Sequence, residues 1–256
     1  MSAKVALVTA SSAGLGASIA QALITSYRVV INYNSRPQHA EAVFQQLRHL
    51  STAAGIPFDD GEPRAIAIQA NVTQTADVRR LVAETVTKMG RLDAVVSNVG
   101  WTHIRDFSNL DDNLEEDDWD SCFTANVKSH LSLLQVTREH LDKTNGSFIT
   151  IASVAGVKPS GSSLPYAVTK AAQIYMVKCL AGMVGPNIRI NSVSPGILMT
   201  DWGKKFPEST LAKSKDKTLL KRFATVEDVA DQVKCLLQNQ SITGVNLVID
   251  SGFSSN

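Results

Sequence analysis

A doubly wound α/β fold, with helices on both faces of a mostly parallel seven-stranded sheet, is what this sequence predicts. Seven short β-rich runs alternate with longer amphipathic stretches along the chain, the order produced when parallel strands are joined by helical crossovers. Val5-Ala-Leu-Val8 and Ala94-Val-Val96 are apolar at consecutive positions, which fits strands covered on both faces. The strand candidates fall at 5–9, 28–33, 65–70, 92–97, 147–152, 188–193 and 245–249, with amphipathic stretches such as 77–89 and 227–238 between them. No internal repeat and no linker divides the chain, so one domain over 1–256 is expected.

The first strand leads into Thr9-Ala-Ser-Ser-Ala-Gly-Leu-Gly16 and a helix. Small residues there let backbone N–H groups approach a phosphate at the positive end of the helix, and Gly16 lets that helix pack closely on the sheet. A tight turn without ligand has the same appearance, but the first βα unit is where doubly wound folds bind dinucleotides. The stretch 51–63, around Gly55, Pro57 and Asp59-Asp60-Gly61, reads as a surface loop. The fourth strand is followed by Ser97-Asn-Val-Gly100, and by Trp101 and His103, which are placed to line a substrate pocket. The acidic stretch 110–118 reads as a solvated loop and helix N-terminus.

The fifth strand ends at Ser153, and thirteen residues later comes Tyr166 in Leu164-Pro-Tyr-Ala-Val-Thr-Lys170. Pro165 suits the first turn of a helix, and the i, i+4 spacing puts the phenol and the ammonium of Lys170 on one face. A neighbouring cation lowers a phenol's pKa, so the three residues supply a proton donor, its activator and a carbonyl anchor. Tyr-x-x-x-Lys alone is a weak signal, and Tyr175 with Lys178 shows how readily a similar pair arises. After the sixth strand, 196–225 mixes Trp202, Phe206 and Pro207 with several lysines. A long irregular stretch just past a strand end is more often a functional lid than a core element. The expected flap is 196–222, with Trp202 and Phe206 as substrate contacts.

Bulk properties exclude other classes. The chain has 25 basic and 24 acidic residues, a net charge of +1, which gives no case for nucleic acid or an anionic membrane. No run approaches the roughly 18 apolar residues of a membrane span. A strand directly after Met1 leaves no room for a signal peptide, and Cys122, Cys179 and Cys235 are unpaired in sequence, so a cytoplasmic protein with reduced thiols is expected. The five histidines form no ligand-spaced pair, and no metal site is expected.

Together these segments resemble the short-chain dehydrogenases/reductases in their single-domain form, with a Rossmann-like fold. Of the family's Thr-Gly-x-x-x-Gly-x-Gly motif, Thr9, Gly14 and Gly16 match and Ala10 replaces the first glycine. Asn98 and Gly100 match the motif after the fourth strand, and Asn126 matches the helix asparagine of a catalytic tetrad completed by Ser153, Tyr166 and Lys170. The resemblance covers essentially the whole chain. It implies that Thr9, Ser11, Ser12, Gly14, Leu15 and Gly16 hold pyrophosphate, that Asn71 and Val72 contact adenine, and that Asn98, Val99 and Gly100 brace the cofactor. Pro195, Gly196, Ile197 and Thr200 look like the loop that closes on nicotinamide and pyrophosphate. Tyr166 and Lys170 also contact the cofactor, and Asn126 holds a water linking Lys170 to solvent.

Cofactor choice in such a fold is made at the end of the second strand. An acidic side chain there accepts from both ribose hydroxyls and repels a 2′-phosphate. Here Tyr33, Asn34, Ser35 and Arg36 offer hydroxyl, amide and guanidinium groups instead, which suit a phosphate dianion. The expected cofactor is NADP(H), against the alternative that Arg36 merely decorates the next helix. The expected activity is reversible reduction of a ketone to a secondary alcohol. The resemblance is nearest to 3-oxoacyl-carrier-protein reductases and fungal aromatic-ketone reductases, and it implies a homo-oligomer, a tetramer or dimer. The alternatives are an enoyl reductase on the same scaffold and a non-enzymatic NADP-binding regulator.

Overall fold

All seven strands form in a computed structural model that describes residues 3–58 and 61–256. They are β1 (Val5–Val8), β2 (Arg28–Tyr33), β3 (Ala65–Gln69), β4 (Ala94–Ser97), β5 (Ser147–Ile151), β6 (Arg189–Pro195) and β7 (Asn246–Ile249). Every pairing is parallel, in the order β3-β2-β1-β4-β5-β6-β7. The chain therefore winds outward one way from β1 to β3, then returns to place β4 on β1's other side. The crevice at that reversal is where an open α/β sheet binds its ligand.

The helices are α1 (Gly14–Leu23), α2 (Pro37–Ala53), α3 (Thr75–Met89), α4 (Glu116–Phe123), α5 (Ser129–Asp142), α6 (Leu164–Val184), α7 (Glu208–Asp216) and α8 (Val226–Gln238). Alternate residues of a strand face opposite sides of the sheet, and both sides are covered. Ala6, Val8, Val29, Ile31, Ile149 and Ile151 pack with apolar residues of α1, α2 and α8. Val5, Leu7, Val30, Val95, Phe148 and Ile190 pack with those of α3, α5 and α6. Burial on two faces is the physical reason for the unbroken apolar strands.

Three expected segments differ in detail. The surface loop begins later than residue 51, because α2 continues through Ala53, and Phe58 is anchored edge-on against Phe44 with ring centroids 5.3 Å apart. Asp59 and Asp60 of its turn cluster lie outside the described residues. The acidic stretch is exposed at Asp111, Glu115, Glu116 and Asp117, but Asp118 is buried and pairs with Arg105 at 2.8 Å. In the expected flap, α7 buries none of its residues.

Candidate functional site

The turn after β1 is built from backbone groups held by buried amides. Ala10 adopts φ +49°, the left-handed conformation its matching glycine would take freely. Its N–H donates to Asn32 Oδ1 at 3.1 Å, and Asn98 Nδ2 donates to the carbonyls of Thr9 and Ala10, each at 3.2 Å. Thr9 and Ser11 do not face the cleft. Thr9 Oγ1 accepts from Asn98 N at 2.9 Å, while Ser11 Oγ donates to Val8 O at 2.7 Å and accepts from Asn32 N at 3.1 Å. Gly16 also acts from behind, since a Cβ there would lie 2.5 Å from Ala10 O and 2.6 Å from Asn98 Nδ2. Ser12 is buried and, like these three, absent from the lining. Ala10, Ala13, Gly14 and Leu15 form the wall. No side chain caps the start of α1, so its first-turn N–H groups remain available to an anion.

From this turn a cleft of about 510 Å³ runs to Tyr166 and Trp202, past Asn98, Val99, Gly100, Pro195, Gly196, Ile197 and Thr200. A second chamber of about 420 Å³ shares Ala10, Val99, Gly100 and Trp101 with it and reaches Asn34, Asn71 and Val72. The two lie side by side at the carboxyl ends of β1, β2, β3 and β4, as an extended dinucleotide requires. Arg36 is exposed on the wall of the first chamber, and its guanidinium makes no ion pair with any described residue. Tyr33 and Ser35 do not line either chamber; Tyr33 packs against the apolar layer beneath α1 and α2. The Asn71 side-chain oxygen already accepts from Thr73 N at 3.1 Å and Thr73 Oγ1 at 2.8 Å. That oxygen is committed, which argues against the expected contact with the adenine amine.

The catalytic candidates converge where β5 meets α6. Ser153 ends the strand in extended backbone and caps the turn Val154–Gly156, accepting from Ala155 N at 3.2 Å. Ser163 caps α6, with Pro165 in the first turn as expected. Tyr166 and Lys170 then face inward, and the Lys170 ammonium lies 5.6 Å from the centroid of the tyrosine ring. Burial pushes the Tyr166 phenol up to about 12, against the opposing effect of the nearby Ser153 hydroxyl. Burial also takes Lys170 down to about 7. The net shift of the tyrosine is upward because desolvation dominates, and Nζ is turned to Ile151 O at 2.9 Å and Gln173 Oε1 at 3.0 Å. Asn126 is fully buried in a π-helical turn between α4 and α5. Its amide holds both backbone groups of Trp101, at 2.8 and 2.9 Å, and Thr169 Oγ1 at 3.0 Å. The side chain thus braces Trp101.

At the substrate end, the Trp202 ring lies 6.1 Å from that of Tyr166, and Phe206 packs edge-on against Trp202 at 5.4 Å. Thr200 Oγ1 accepts from Gly203 N at 3.4 Å, and its methyl lies 3.2 Å from where a Cβ of Gly14 would be. The base of the flap therefore abuts the phosphate turn. Trp101 lines both chambers. His103 does not join them: Asp118 draws its ring outward, with Nδ1 3.3 Å from Oδ1, and the side chain is 57% exposed.

Four residues of the site escaped the sequence reading. Asn32, which supports the Ala10 turn, was signalled by a polar residue inside Val29-Val-Ile-Asn32. Asn113 holds the start of the catalytic helix through Leu164 N at 2.8 Å, a contact between loops distant in sequence. A Cβ on Gly156 would lie 2.5 Å from the Lys170 carbonyl carbon, so its glycine allows the Ser153 turn to press on α6. The fourth, Gln173, is buried beside Lys170. Among the described residues, no helix is long and apolar enough to cross a membrane and no cluster suits a metal ion.

Comparison with known proteins gives consistent matches over the full length. A family model described as enoyl-(acyl carrier protein) reductase matches residues 9–254. A Streptomyces violaceoruber protein assigned as ketoacyl reductase 2 of the granaticin polyketide synthase is 35% identical over 254 residues, covering 98% of this chain and 96% of the relative. The 3-oxoacyl-[acyl-carrier-protein] reductase FabG of Staphylococcus epidermidis is 30% identical over 254 residues, covering 97% and 98%. A Burkholderia cenocepacia short-chain dehydrogenase solved in complex with NADP is 31% identical and superposes with a TM-score of 0.85, covering 100% of this chain and 99% of that one.

Proposed function

We propose that this chain, which belongs to the short-chain dehydrogenase/reductase family, reduces its ketone substrate with NADPH. Oxidoreduction between C=O and CH–OH with a nicotinamide cofactor is the chemistry of its relatives and of this enzyme. The observation that carries the choice of NADPH is the Arg36 guanidinium, which follows β2 at the start of α2, makes no ion pair with any described residue, and stands where no acidic side chain is present. A solved relative that binds NADP supports it.

The residues present fit the cofactor: an uncapped helix N-terminus behind Gly14, two adjoining chambers, and Lys170 on the wall of the first. When bound, the nicotinamide supplies hydride. Ser153 and Tyr166 both line the cleft, and a ketone oxygen entering between them accepts from both hydroxyls. The Tyr166 phenol is protonated at neutral pH, as a general acid for reduction must be. Lys170 keeps positive charge beside the phenol as its proton leaves, stabilising the phenolate left behind. Asn126 holds Trp101 on the cleft wall, and Trp202 and Phe206 pack beside Tyr166, where an ordered flap would shield the reacting carbon from water.

For the substrate, the names of the relatives support a 3-oxoacyl or polyketide-type aromatic ketone. Enoyl reduction is the second reading, favoured by the description of the family model; the four-residue Tyr166-to-Lys170 spacing argues against it. A homo-oligomer is part of the same proposal, resting on the exposed Leu131 of α5 and Val168, Tyr175 and Met183 of α6. So is a cytoplasmic location, resting on three free cysteines. The test is NADPH absorbance with 3-oxoacyl thioesters, aromatic ketones and a 2-enoyl thioester. Turnover of a ketone is expected; turnover of the enoyl substrate alone, or of none with NADP bound, would overturn the reading.

A further inference from the structure

The carbonyl of Ile151, the last residue of β5, accepts two hydrogen bonds from α6. One comes from Lys170 Nζ at 2.9 Å and one from Gln173 Nε2 at 3.1 Å. A third closes the ring, from Lys170 Nζ to Gln173 Oε1 at 3.0 Å. Gln173 is fully buried, next to Ile174 and one turn from Val177. An amide in such surroundings is costly unless both of its ends are engaged, and here both are. An ammonium has three N–H donors; the ring commits two and leaves one for the cleft that Lys170 lines.

We infer that Gln173 is a positioning residue that aims the Lys170 ammonium and holds it in its charged form. The inference rests on the ketone-reductase reading above. The titratable groups facing Lys170 are Tyr166 of its own helix, Cys122 of α4 and His130 of α5. All three are neutral at neutral pH. Burial raises the phenol to about 12 and the thiol to about 11, and holds the imidazole well below its usual value. Among the described residues, Gln173 is the one side chain that accepts a hydrogen bond from Nζ. With burial taking Lys170 to about 7, its charge is balanced near neutrality. A hydrogen bond made to the charged form then decides which form prevails.

Reduction needs the charged lysine, so the rate falls as pH rises through its pKa. Gln173→Leu keeps the volume and removes the acceptor. The basic limb of its kcat/KM profile should move down by about one to two pH units, the effect of losing one hydrogen bond to a charged group. Gln173→Glu places a carboxylate there and should move the limb up. Gln173→Met repeats the first change if the leucine variant fails to fold. A glutamine that only filled space would lower the rate at every pH and leave the limb in place. NMR titration of ¹³Cε-labelled lysine, with Lys170 identified through Lys170→Met, reads the same pKa without turnover. Opposite shifts in the apolar and the glutamate variants support the inference even if the ketone substrate has been misjudged. Shifts in the same direction, or none, overturn it while leaving ketone reduction by the unaltered enzyme untouched.

Discussion

Replacing Ala10 with glycine should make this protein more stable. Ala10 sits at φ +49°, where a residue with a Cβ is disfavoured by about 1–2 kcal/mol. It is held there from both sides, its N–H on Asn32 Oδ1 at 3.1 Å and its carbonyl under Asn98 Nδ2 at 3.2 Å. The backbone cannot relax without breaking these contacts. Glycine removes the Cβ penalty but gives the unfolded chain more freedom, which returns about 0.5–1 kcal/mol. The net gain is about 0.5–1 kcal/mol, a rise in Tm of about 1–4 °C for a domain of this size. Urea midpoints with matched m-values, at one protein concentration and without cofactor, measure the change. Ala10 also lines both chambers, so NADP⁺ affinity should hold or improve when its Cβ is removed. A lower midpoint at unchanged m-value would refute the reasoning, because packing of that methyl would then outweigh the backbone strain.

Tyr166→Phe removes one proton donor and should lower kcat for ketone reduction by about 10²–10⁴ while NADPH affinity, read by fluorescence, stays near that of the unaltered protein. Arg36→Ala should weaken kcat/KM with NADPH by about tenfold or more and spare NADH, since a charged hydrogen bond contributes about 1.5–3 kcal/mol; equal effects on both cofactors would remove the phosphate assignment. Hydrogen exchange over 196–222 should slow when NADP⁺ binds, as Thr200 and Gly14 are already in contact range; unchanged exchange at saturation would mean a permanently packed segment. Sedimentation should show an oligomer that Tyr175→Asp with Met183→Asp dissociates, these side chains being 69% and 73% exposed in one chain; a monomer before substitution would end that proposal.

The strands and the family's motif residues were legible because each is a local property: apolar runs, small residues in one turn, a proline before Tyr166. The roles of hydroxyls in the phosphate turn were not. Thr9 and Ser11 look like ligand contacts in sequence, yet both point back into the sheet, because Asn32 and Asn98 need them as partners. His103 failed in the same way, drawn off by Asp118 fifteen residues on. Asn113 left no signal, since its partner Leu164 N is 51 positions away.

By itself the sequence determined the alternation of strand and helix and the place of the crevice, which follow from periodicity, while its family resemblance singled out Ser153, Tyr166 and Lys170. The tertiary structure separates Tyr166 from Tyr175 on the same helix, one half-buried in the cleft wall with Ser153 and the other exposed. It also decided the charge states. Spacing alone argued that Lys170 lowers the tyrosine's pKa, but desolvation acts on both groups together, raising one and lowering the other. Burial is a sum over every element packed around a side chain, and no window of sequence contains that sum.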